Sequence, residues 1–351
     1  MESPLRKWAW ISLLLSGTIL IAVLLLTINK ETFEYLKSMN IWFLILALIV
    51  RTFSLAFWAE RIKLMARSLG YSITWRRSLT IVLLNLFPGA ITPGQIGGEP
   101  VRVHELSRDK IKVGDATALV IGERIMDAVV LTLMALLALV FLAPVWKKLD
   151  QAFFYAFIIT WVMMFFVIAF FLYLLQHPTL LKRIITRITG WLERRRSSRL
   201  AEAETASQGN KIDWLHRIDQ EMENFQSSIK IFTRTNRLLL VGPFMLTAGF
   251  WISEFFVASL ILMGLSQPPY IAESFLFQLI VAIINMVPLT PGSAGVAEIS
   301  AITLYSLIIP SAILGIFVVL WRFLLFYFNI IAGFLTYIVT FKRQISKESK
   351  E

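Results

Sequence analysis

Residues 85–102, NLFPGAITPGQIGGEPVR, form a proline- and glycine-rich interruption between strongly apolar segments. Residues 285–298, NMVPLTPGSAGVAE, repeat the pattern near the other end of the chain. Both stretches carry Asn-x-x-Pro, then Thr-Pro-Gly-x-x-Gly, then a glutamate. Proline and glycine at this density break a helix, and inside a membrane the freed backbone groups need partners from protein or a water-lined cavity. Two matched breaks in the two halves of a chain are typical of a transporter's binding site.

The composition excludes an ordinary soluble domain. Of 351 residues, 57% are hydrophobic and only 16% are charged, against about 25% charged in soluble proteins. The chain has no cysteine, which excludes disulfides and thiolate metal sites, and its three histidines lie far apart in sequence. We therefore predict a polytopic membrane protein with no metal site and no cofactor.

The apolar runs predict an all-α fold with about six full spans. Two further apolar runs, 79–87 and 275–287, are too short to span as helices and lead directly into the two breaks. They predict re-entrant helical hairpins at 79–112 and 275–309, although full crossing of the short arms would give about eight to ten helices instead. The predicted spans are Trp8–Ile28, a helix starting near Ile41, Ala116–Leu142, Ala152–Leu175, Leu238–Leu265 and Ala312–Phe341.

Three parts follow along the chain: a first membrane half at 1–175, a hydrophilic segment at 176–237 and a second membrane half at 238–351. The hydrophilic segment contains the basic cluster Arg194–Arg196 and apolar residues at helical spacing from Trp214 to Phe232. This spacing predicts an amphipathic helix on the membrane or on the protein's own surface. Anionic inner-leaflet lipids are an adequate partner for the basic residues, so the net charge of +11 needs no nucleic acid.

Most of the 34 lysines and arginines fall on one side when the amino terminus is placed in the cytoplasm. This bias predicts a plasma-membrane protein with both termini cytoplasmic. With six crossings, the first hairpin enters from the cytoplasm and the second from outside, so the two halves form an inverted repeat. Inverted repeats that meet at the middle of the bilayer are an alternating-access architecture.

Several charges lie in or beside apolar segments, where each unpaired one would cost about 2.5–3.5 kcal/mol. They must therefore face one another or water. The candidate substrate-binding residues are Arg51, Glu99, Arg102, Glu123, Arg124, Asp127, Glu254, Glu298 and Arg322. The candidate hinge residues are Pro88, Pro93, Gly94, Gly97, Gly98, Pro288, Pro291, Gly292 and Gly295.

The spacing of these charges is repeated between the halves. Glu99 precedes Arg124 by 25 residues and Glu298 precedes Arg322 by 24. Helical periodicity also predicts that Glu123, Arg124 and Asp127 crowd one side of their helix. The two pairs have two interpretations: ion pairs that fix the hairpins, or arginines that attract a phosphate beside glutamates that position them or carry a proton. Arginine suits phosphate because its planar fork donates two parallel hydrogen bonds.

Taken together, the loops PGQIGGEPVR and PLTPGSAGVAE, the ER-x-x-D of residues 123–127 and the late Arg322 resemble the flippase-like membrane family that includes the transmembrane region of lysylphosphatidylglycerol synthases. The likeness covers roughly Trp8–Phe341. It implies translocation of a polar-headed lipid, such as an aminoacylated phospholipid or a polyprenyl-linked or hopanoid-type lipid. Those synthases carry a large soluble transferase domain after the membrane part, whereas this chain ends ten residues past Phe341, so synthase activity is not expected.

The leading hypothesis is thus a lipid flippase or transporter in which Arg51, Arg124 and Arg322 hold an anionic head group. The glycine pattern differs from that of a nucleotide-binding P-loop, so a lipid or ion gradient is the expected energy source. Two alternatives remain open from the residues. One is an integral-membrane glycosyl- or phospho-transferase, and the other is a non-catalytic partner of a lipid-modifying membrane enzyme.

Overall fold

The computed structural model describes residues 4–27, 29–146, 151–176, 220–221, 223–232, 238–286 and 290–348. Within these ranges the elements are helices, and the single β-type contact is one isolated bridge. The all-α prediction is therefore confirmed for the part of the chain that the structure describes. Both Arg194–Arg196 and Trp214 lie outside the described residues.

The first half contains α1 (Pro4–Thr27), α2 (Lys30–Lys37), α3 (Ile41–Ser68), α4 (Trp75–Ala90), α5 (Gly98–Arg108), α6 (Val113–Phe141), α7 (Ala143–Trp146) and α8 (Gln151–Gln176). The second half contains α9 (Leu238–Gly264), α10 (Ile271–Asn285), α11 (Val296–Tyr305), α12 (Ser311–Arg322), a π-helical turn (Phe323–Tyr327) and α13 (Phe328–Glu348).

The chain is a multi-pass membrane protein. Four described helices are long and apolar enough to cross a bilayer, namely Ile41–Ser68, Val113–Phe141, Leu240–Gly264 and Ser311–Lys342. The helical segments Leu14–Thr27 and Lys30–Lys37 follow each other at an angle of 105°. If the two segments together form one broken span, the number of spans in the described residues is five. The expected total of about six spans remains a prediction.

Side-chain caps explain where two of the helices begin. The Asn40 side chain accepts from the backbone N–H of Trp42 at the start of α3, and Thr74 accepts from that of Arg77 at the start of α4. The prediction that the helix breaks at Pro88 was wrong, because α4 continues to Ala90. Proline removes the backbone donor that would bond to the carbonyl four residues earlier, and the helix ends two residues later.

Two helical hairpins, α4–α5 and α10–α11, meet at their tips. Pro93 and Pro291 form an antiparallel bridge, and the N–H of Gly292 donates to the carbonyl oxygen of Thr92 at 3.1 Å. The two loops also share their backbone conformation. Gly94 and Gln95 have φ of 59° and 60°, and Gly292 and Ser293 have φ of 58° and 53°. The two sequence breaks thus lie in contact and have the same left-handed turn.

The segment 220–232 packs on the protein's own surface, one of the two places predicted for the amphipathic helix. Its side chains Phe225, Ile229 and Phe232 are buried in one cluster with Leu119 of α6. The N–H of Gly114 at the start of α6 donates to Glu221 Oε2 at 2.6 Å. An acidic side chain is favourable at this position because a helix carries a partial positive charge at its amino end.

A second set of polar contacts fixes the same end of α6. Asp115 accepts hydrogen bonds from the hydroxyls of Ser228 at 2.6 Å and Tyr71 at 2.5 Å. Burial and the bond to Asp115 raise the pKa of Tyr71, so its hydroxyl remains a donor at neutral pH. The 220–232 segment is therefore joined to the first half by polar as well as apolar contacts.

Close approach within the first hairpin makes Gly98 hard to replace. A Cβ at residue 98 would lie 2.0 Å from Oδ1 of Asn85 and 2.8 Å from its backbone oxygen. We expect Gly98→Ala to destabilise the protein by about 1–3 kcal/mol through overpacking, measured as a lower unfolding temperature in detergent. Gly17→Ala is the matched control, because a Cβ at residue 17 would meet nothing within 4 Å. Equal unfolding temperatures for the two variants would contradict the close packing of this hairpin.

Candidate functional site

A polar cavity of about 180 Å³ lies where the two hairpin loops meet. Its walls come from both loops and from α3, α4, α6, α9, α10, α12, the π turn and α13. The three arginines predicted to hold a head group, Arg51, Arg124 and Arg322, all line it. Its other polar lining residues are Asn85, Gln95, Glu254, Gln278, Asn285, Ser293 and Asn329.

The first predicted charge pair is present. Arg124 Nε donates to Glu99 Oε1 at 2.6 Å, joining α6 to the start of α5. About a third of each side chain is exposed, 35% for Arg124 and 28% for Glu99. The pair therefore sits at an opening of the protein rather than in its core.

The matching pair in the second half is fully enclosed. Arg322 Nε donates to Glu298 Oε1 at 2.7 Å, and the exposed fractions are 6% and 0%. Glu298 also accepts from the hydroxyl of Ser16 in α1 at 2.6 Å and from the N–H of Gly295 at 2.7 Å. Arg322 Nη2 further donates to the carbonyl oxygen of Gly292 at 3.3 Å, so this pair fixes the second loop.

Arg322 also lies at an irregularity in the last long helix. It is the final residue of α12, and the π-helical turn Phe323–Tyr327 follows it. Its guanidinium carbon lies 4.2 Å from the ring centroid of Phe326, within the range of a cation–π contact. Single π turns inside long helices are frequent at functional sites, and this one directly follows a candidate substrate-binding arginine.

Arg51 joins the two halves across the cavity. Its guanidinium donates to Glu254 of α9, to Ser54 at 2.9 Å and to Asn329 of α13 at 2.5 Å. Ser54 also donates to Glu254. The side chains of Arg51 and Glu254 are 3% and 13% exposed, so each depends on the other for neutralisation.

A second buried network lies beside the cavity and contains the two other predicted carboxylates. Glu123 accepts from Arg61 Nε at 3.0 Å and from Arg102 Nη1 at 2.5 Å. Asp127 accepts from Arg61 Nη1 at 2.6 Å, and the same nitrogen donates to Thr247 of α9 at 3.1 Å. All four charged residues are less than a tenth exposed. Of the predicted substrate-binding residues, this network encloses Arg102, Glu123 and Asp127.

The prediction that Glu123, Arg124 and Asp127 act on one side of α6 was wrong for Arg124. Glu123 and Asp127 are one turn apart and both face Arg61, whereas Arg124 turns to Glu99. Successive helical residues are rotated by about 100°, so Arg124 points away from the carboxylate that precedes it.

Arg61 is a functional candidate that the sequence analysis did not single out. A periodic signal was present: Arg51, Ser54, Trp58 and Arg61 recur at three- and four-residue steps in α3. Trp58 Nε1 donates to Glu123 Oε1 at 3.0 Å, and the guanidinium carbon of Arg102 lies 5.3 Å from the Trp58 ring. One face of α3 is therefore polar along three turns.

The predicted hinge residues fall in or beside the two loops. Pro93, Pro291 and Gly292 form the contact between the loops. A Cβ at Gly97 would lie 2.5 Å from Cγ2 of Thr92, so the first loop is tightly closed there. Gly94 and Gly295 have positive φ. Gly98 is the first residue of α5, and Pro88 lies inside α4. Pro288 lies outside the described residues.

Charges in the two networks balance. The described ion pairs at the cavity and in the network beside it join five arginines, Arg51, Arg61, Arg102, Arg124 and Arg322, to five carboxylates, Glu99, Glu123, Asp127, Glu254 and Glu298. With every group ionised the set is neutral. An anionic ligand therefore binds an arginine here by displacing a carboxylate or after a carboxylate takes up a proton.

Asn85 and Asn285 hold matching positions in the two Asn-x-x-Pro motifs, and both line the cavity. Oδ1 of each is buried without a hydrogen-bond partner among the described residues. Leaving a buried acceptor unpaired costs about 1–3 kcal/mol. The cavity therefore has three arginines for an anion and, in two of its lining residues, acceptors that the described residues leave unpaired.

Comparison with known proteins shows similarity over nearly the whole length. The family profile described as "Lysylphosphatidylglycerol synthase TM region" matches residues 9–333. A UPF0104 membrane protein of Archaeoglobus fulgidus is 29% identical over 324 residues, which cover 92% of this chain and 94% of that protein. A UPF0104 membrane protein of Methanocaldococcus jannaschii is 24% identical over 342 residues, 96% of each chain. A UPF0104 membrane protein of Methanothermobacter thermautotrophicus is 24% identical over 300 residues, 84% of each.

Proposed function

The chain belongs to the lysylphosphatidylglycerol synthase TM region family, and we propose that it moves a lipid with an anionic polar head group between the leaflets of the plasma membrane. The head group passes through the cavity between the hairpin loops, while the hydrocarbon chains stay in the bilayer. The proposed lipid is a phospholipid or a polyprenyl-linked lipid, since both present a phosphate.

The convergence of Arg51, Arg124 and Arg322 on one cavity carries this proposal. They come from three helices far apart in sequence, and each is already paired with a glutamate. Charged groups inside a membrane protein characteristically mark the path of a substrate or ion. Arginine binds phosphate through two parallel hydrogen bonds, so the cavity suits a phosphate-bearing head.

The neutral charge balance suggests how the head group is bound and released. The phosphate replaces Glu99 on Arg124, because this pair is the more exposed of the two matching pairs. The freed glutamate then turns to water or takes up a proton, which provides a way to couple transport to a proton gradient. Asn85 and Asn285 accept hydrogen bonds from hydroxyl or ammonium groups of the head.

We further propose that the two hairpins are re-entrant and enter from opposite sides, with both termini in the cytoplasm. The shared left-handed turns of the two loops and the matching ion pairs support an internal repeat. In such repeats, substrate sites lie near the middle of the bilayer where the halves meet. The contact between the two loops is the corresponding point in this chain.

The test is lipid translocation in liposomes that contain the purified protein. The probe is nitrobenzoxadiazole phosphatidylethanolamine, which keeps its phosphate charge, and a membrane-impermeant reductant destroys the label in the outer leaflet. We expect Arg124→Gln to slow translocation by about tenfold or more, the factor that corresponds to about 1.4 kcal/mol of lost interaction.

Arg77→Gln is the matched control. Arg77 is also a half-buried, ion-paired arginine, 26% exposed and bonded to Glu105 and Asp109, but it lies outside the cavity. We expect this variant to translocate the probe at the wild-type rate. Equal rates for wild type and Arg124→Gln, or translocation no faster than in protein-free liposomes, would rule out the proposed role of the cavity.

A further inference from the structure

A second groove, of about 490 Å³, runs between α5 and α6. On the α5 side it is lined at helical spacing by Ile96, Glu99 and Val103, and on the α6 side by Val113, Thr117 and Ile121. The lined part of α5 extends from Glu99 to Ser107, about 12 Å at the rise of an α-helix. The groove is also lined by Pro100, His104, Ser107 and Val120. Its lining is therefore mainly apolar, with His104 and Ser107 toward one end of the α5 side and the carboxylate of Glu99 toward the other.

That end of the groove is the Glu99–Arg124 ion pair. Glu99 lines the groove, whereas Arg124 lines the central cavity. The 2.6 Å bond between Arg124 Nε and Glu99 Oε1 therefore forms the partition between an apolar groove and a polar chamber.

The matching pair in the second hairpin has no comparable opening. Glu298 is covered by α1 through the hydroxyl of Ser16, and a Cβ at Gly295 would lie 3.1 Å from the side chain of Ile19 in the same helix. Glu298 is 0% exposed, against 28% for Glu99. Of these two matching pairs one is accessible and the other is sealed, and the groove leads to the accessible one.

We propose that the groove between α5 and α6 holds one hydrocarbon chain of the translocated lipid, so that its phosphate is presented to Arg124 at the Glu99–Arg124 pair. The identity of the occupant as that lipid rests on the proposed function. The match is one of charge and polarity: an apolar channel that ends in an arginine and leads into a polar cavity fits a molecule with an apolar tail and an anionic head.

The groove selects a lipid by shape and head group rather than by hydrophobicity. Hydrocarbon gains no hydrophobic free energy when it leaves the bilayer for a protein surface, so packing and polar contacts must supply the preference. The head group supplies the polar contact at Arg124, and the two helices supply the packing.

Because the chain has no cysteine, one introduced cysteine can be labelled alone. The test variant is Thr117→Cys, whose cysteine lies in the groove and is labelled with benzophenone maleimide. The control is Leu137→Cys with the same label, because residue 137 lies on the same helix and outside the groove, and its side chain is 54% exposed. Each full-length protein in detergent receives an equimolar amount of phosphatidylglycerol and is irradiated, and the adduct is identified by intact mass. We expect the lipid adduct at residue 117 to exceed that at residue 137 by about tenfold.

Equal yields at the two positions would overturn the proposal, since they would show ordinary contact with surrounding lipid. A cross-link from residue 117 to another segment of the chain or to a second copy would also overturn it, because that element would then occupy the groove. The liposome assay separates this inference from the proposed function. If the protein translocates the probe but residue 117 gives no preferred lipid adduct, the proposed lipid-binding groove is wrong and the transport function stands. If residue 117 gives the preferred adduct but the protein does not translocate the probe, lipid binding in the groove is supported and the transport function is wrong.

Discussion

Replacing Glu123 with glutamine is expected to destabilise the folded protein by about 3–5 kcal/mol, the usual penalty for removing one partner of a buried ion pair. Glu123 is 0% exposed and is bonded to Arg61, Arg102 and Trp58. Neutralising it leaves Arg102 without a carboxylate partner and Arg61 with only Asp127 among the described ion pairs. A buried positive charge then remains with no compensating carboxylate.

The measurement is the apparent unfolding temperature in detergent at one fixed scan rate, since unfolding of such proteins is often irreversible. Glu60→Gln in the same chain is the control, because Glu60 forms a surface pair with Lys63 in which the side chains are 31% and 36% exposed. Surface pairs contribute about 0–1 kcal/mol. Similar decreases in unfolding temperature for the two variants would show that Glu123 does not neutralise the arginines around it.

Reversing the charge of Arg124 is expected to abolish translocation. Arg124→Glu places a second carboxylate beside Glu99, where two like charges repel each other and a phosphate finds no cation at the groove end of the cavity. The rate should fall to that of protein-free liposomes. The unfolding temperature should fall only slightly, because the pair is about one third exposed and its contribution to stability is screened by solvent.

The double variant Glu99→Arg with Arg124→Glu separates the two interpretations of this pair. The swap restores an ion pair between the same positions, so we expect the wild-type unfolding temperature to return. It also moves the positive charge from the cavity wall to the groove, since Arg124 lines the cavity and Glu99 the groove. Translocation should therefore stay lost. Recovery of transport by the swap would mean that the pair only fastens the hairpin and that Arg124 does not bind the head group.

Local features of this fold were predictable because they depend on short stretches of sequence. The predicted start of the second long helix near Ile41 coincides with the start of α3. The matched loops and the Glu99–Arg124 and Glu298–Arg322 pairs follow from repeated motifs at nearly equal spacing. Hydropathy and helical periodicity contain this information without any tertiary contact.

Partners of the remaining charges were not predictable in the same way. Arg51 pairs with Glu254, 203 residues later in the chain, and Arg61 reaches Thr247 in the same distant helix. These contacts exist only because α3 packs along α9. The sequence identified Arg51 and Glu254 as needing partners, but it contains no periodicity that relates one helix to another. The role of Arg61 was missed for this reason.

The pairing of Arg51 with Glu254 also constrains biosynthesis. The ribosome adds about 5–20 residues per second, so the 203 residues between the two side chains take about 10–40 s to translate. During that interval Arg51 of α3 cannot pair with Glu254, because α9 has not yet been synthesised. Glu298, which bonds to Ser16 of α1, has not been synthesised either. The nascent α1 and α3 therefore reach their final surroundings only after α9 and α11 have been synthesised, which predicts late consolidation of the first half.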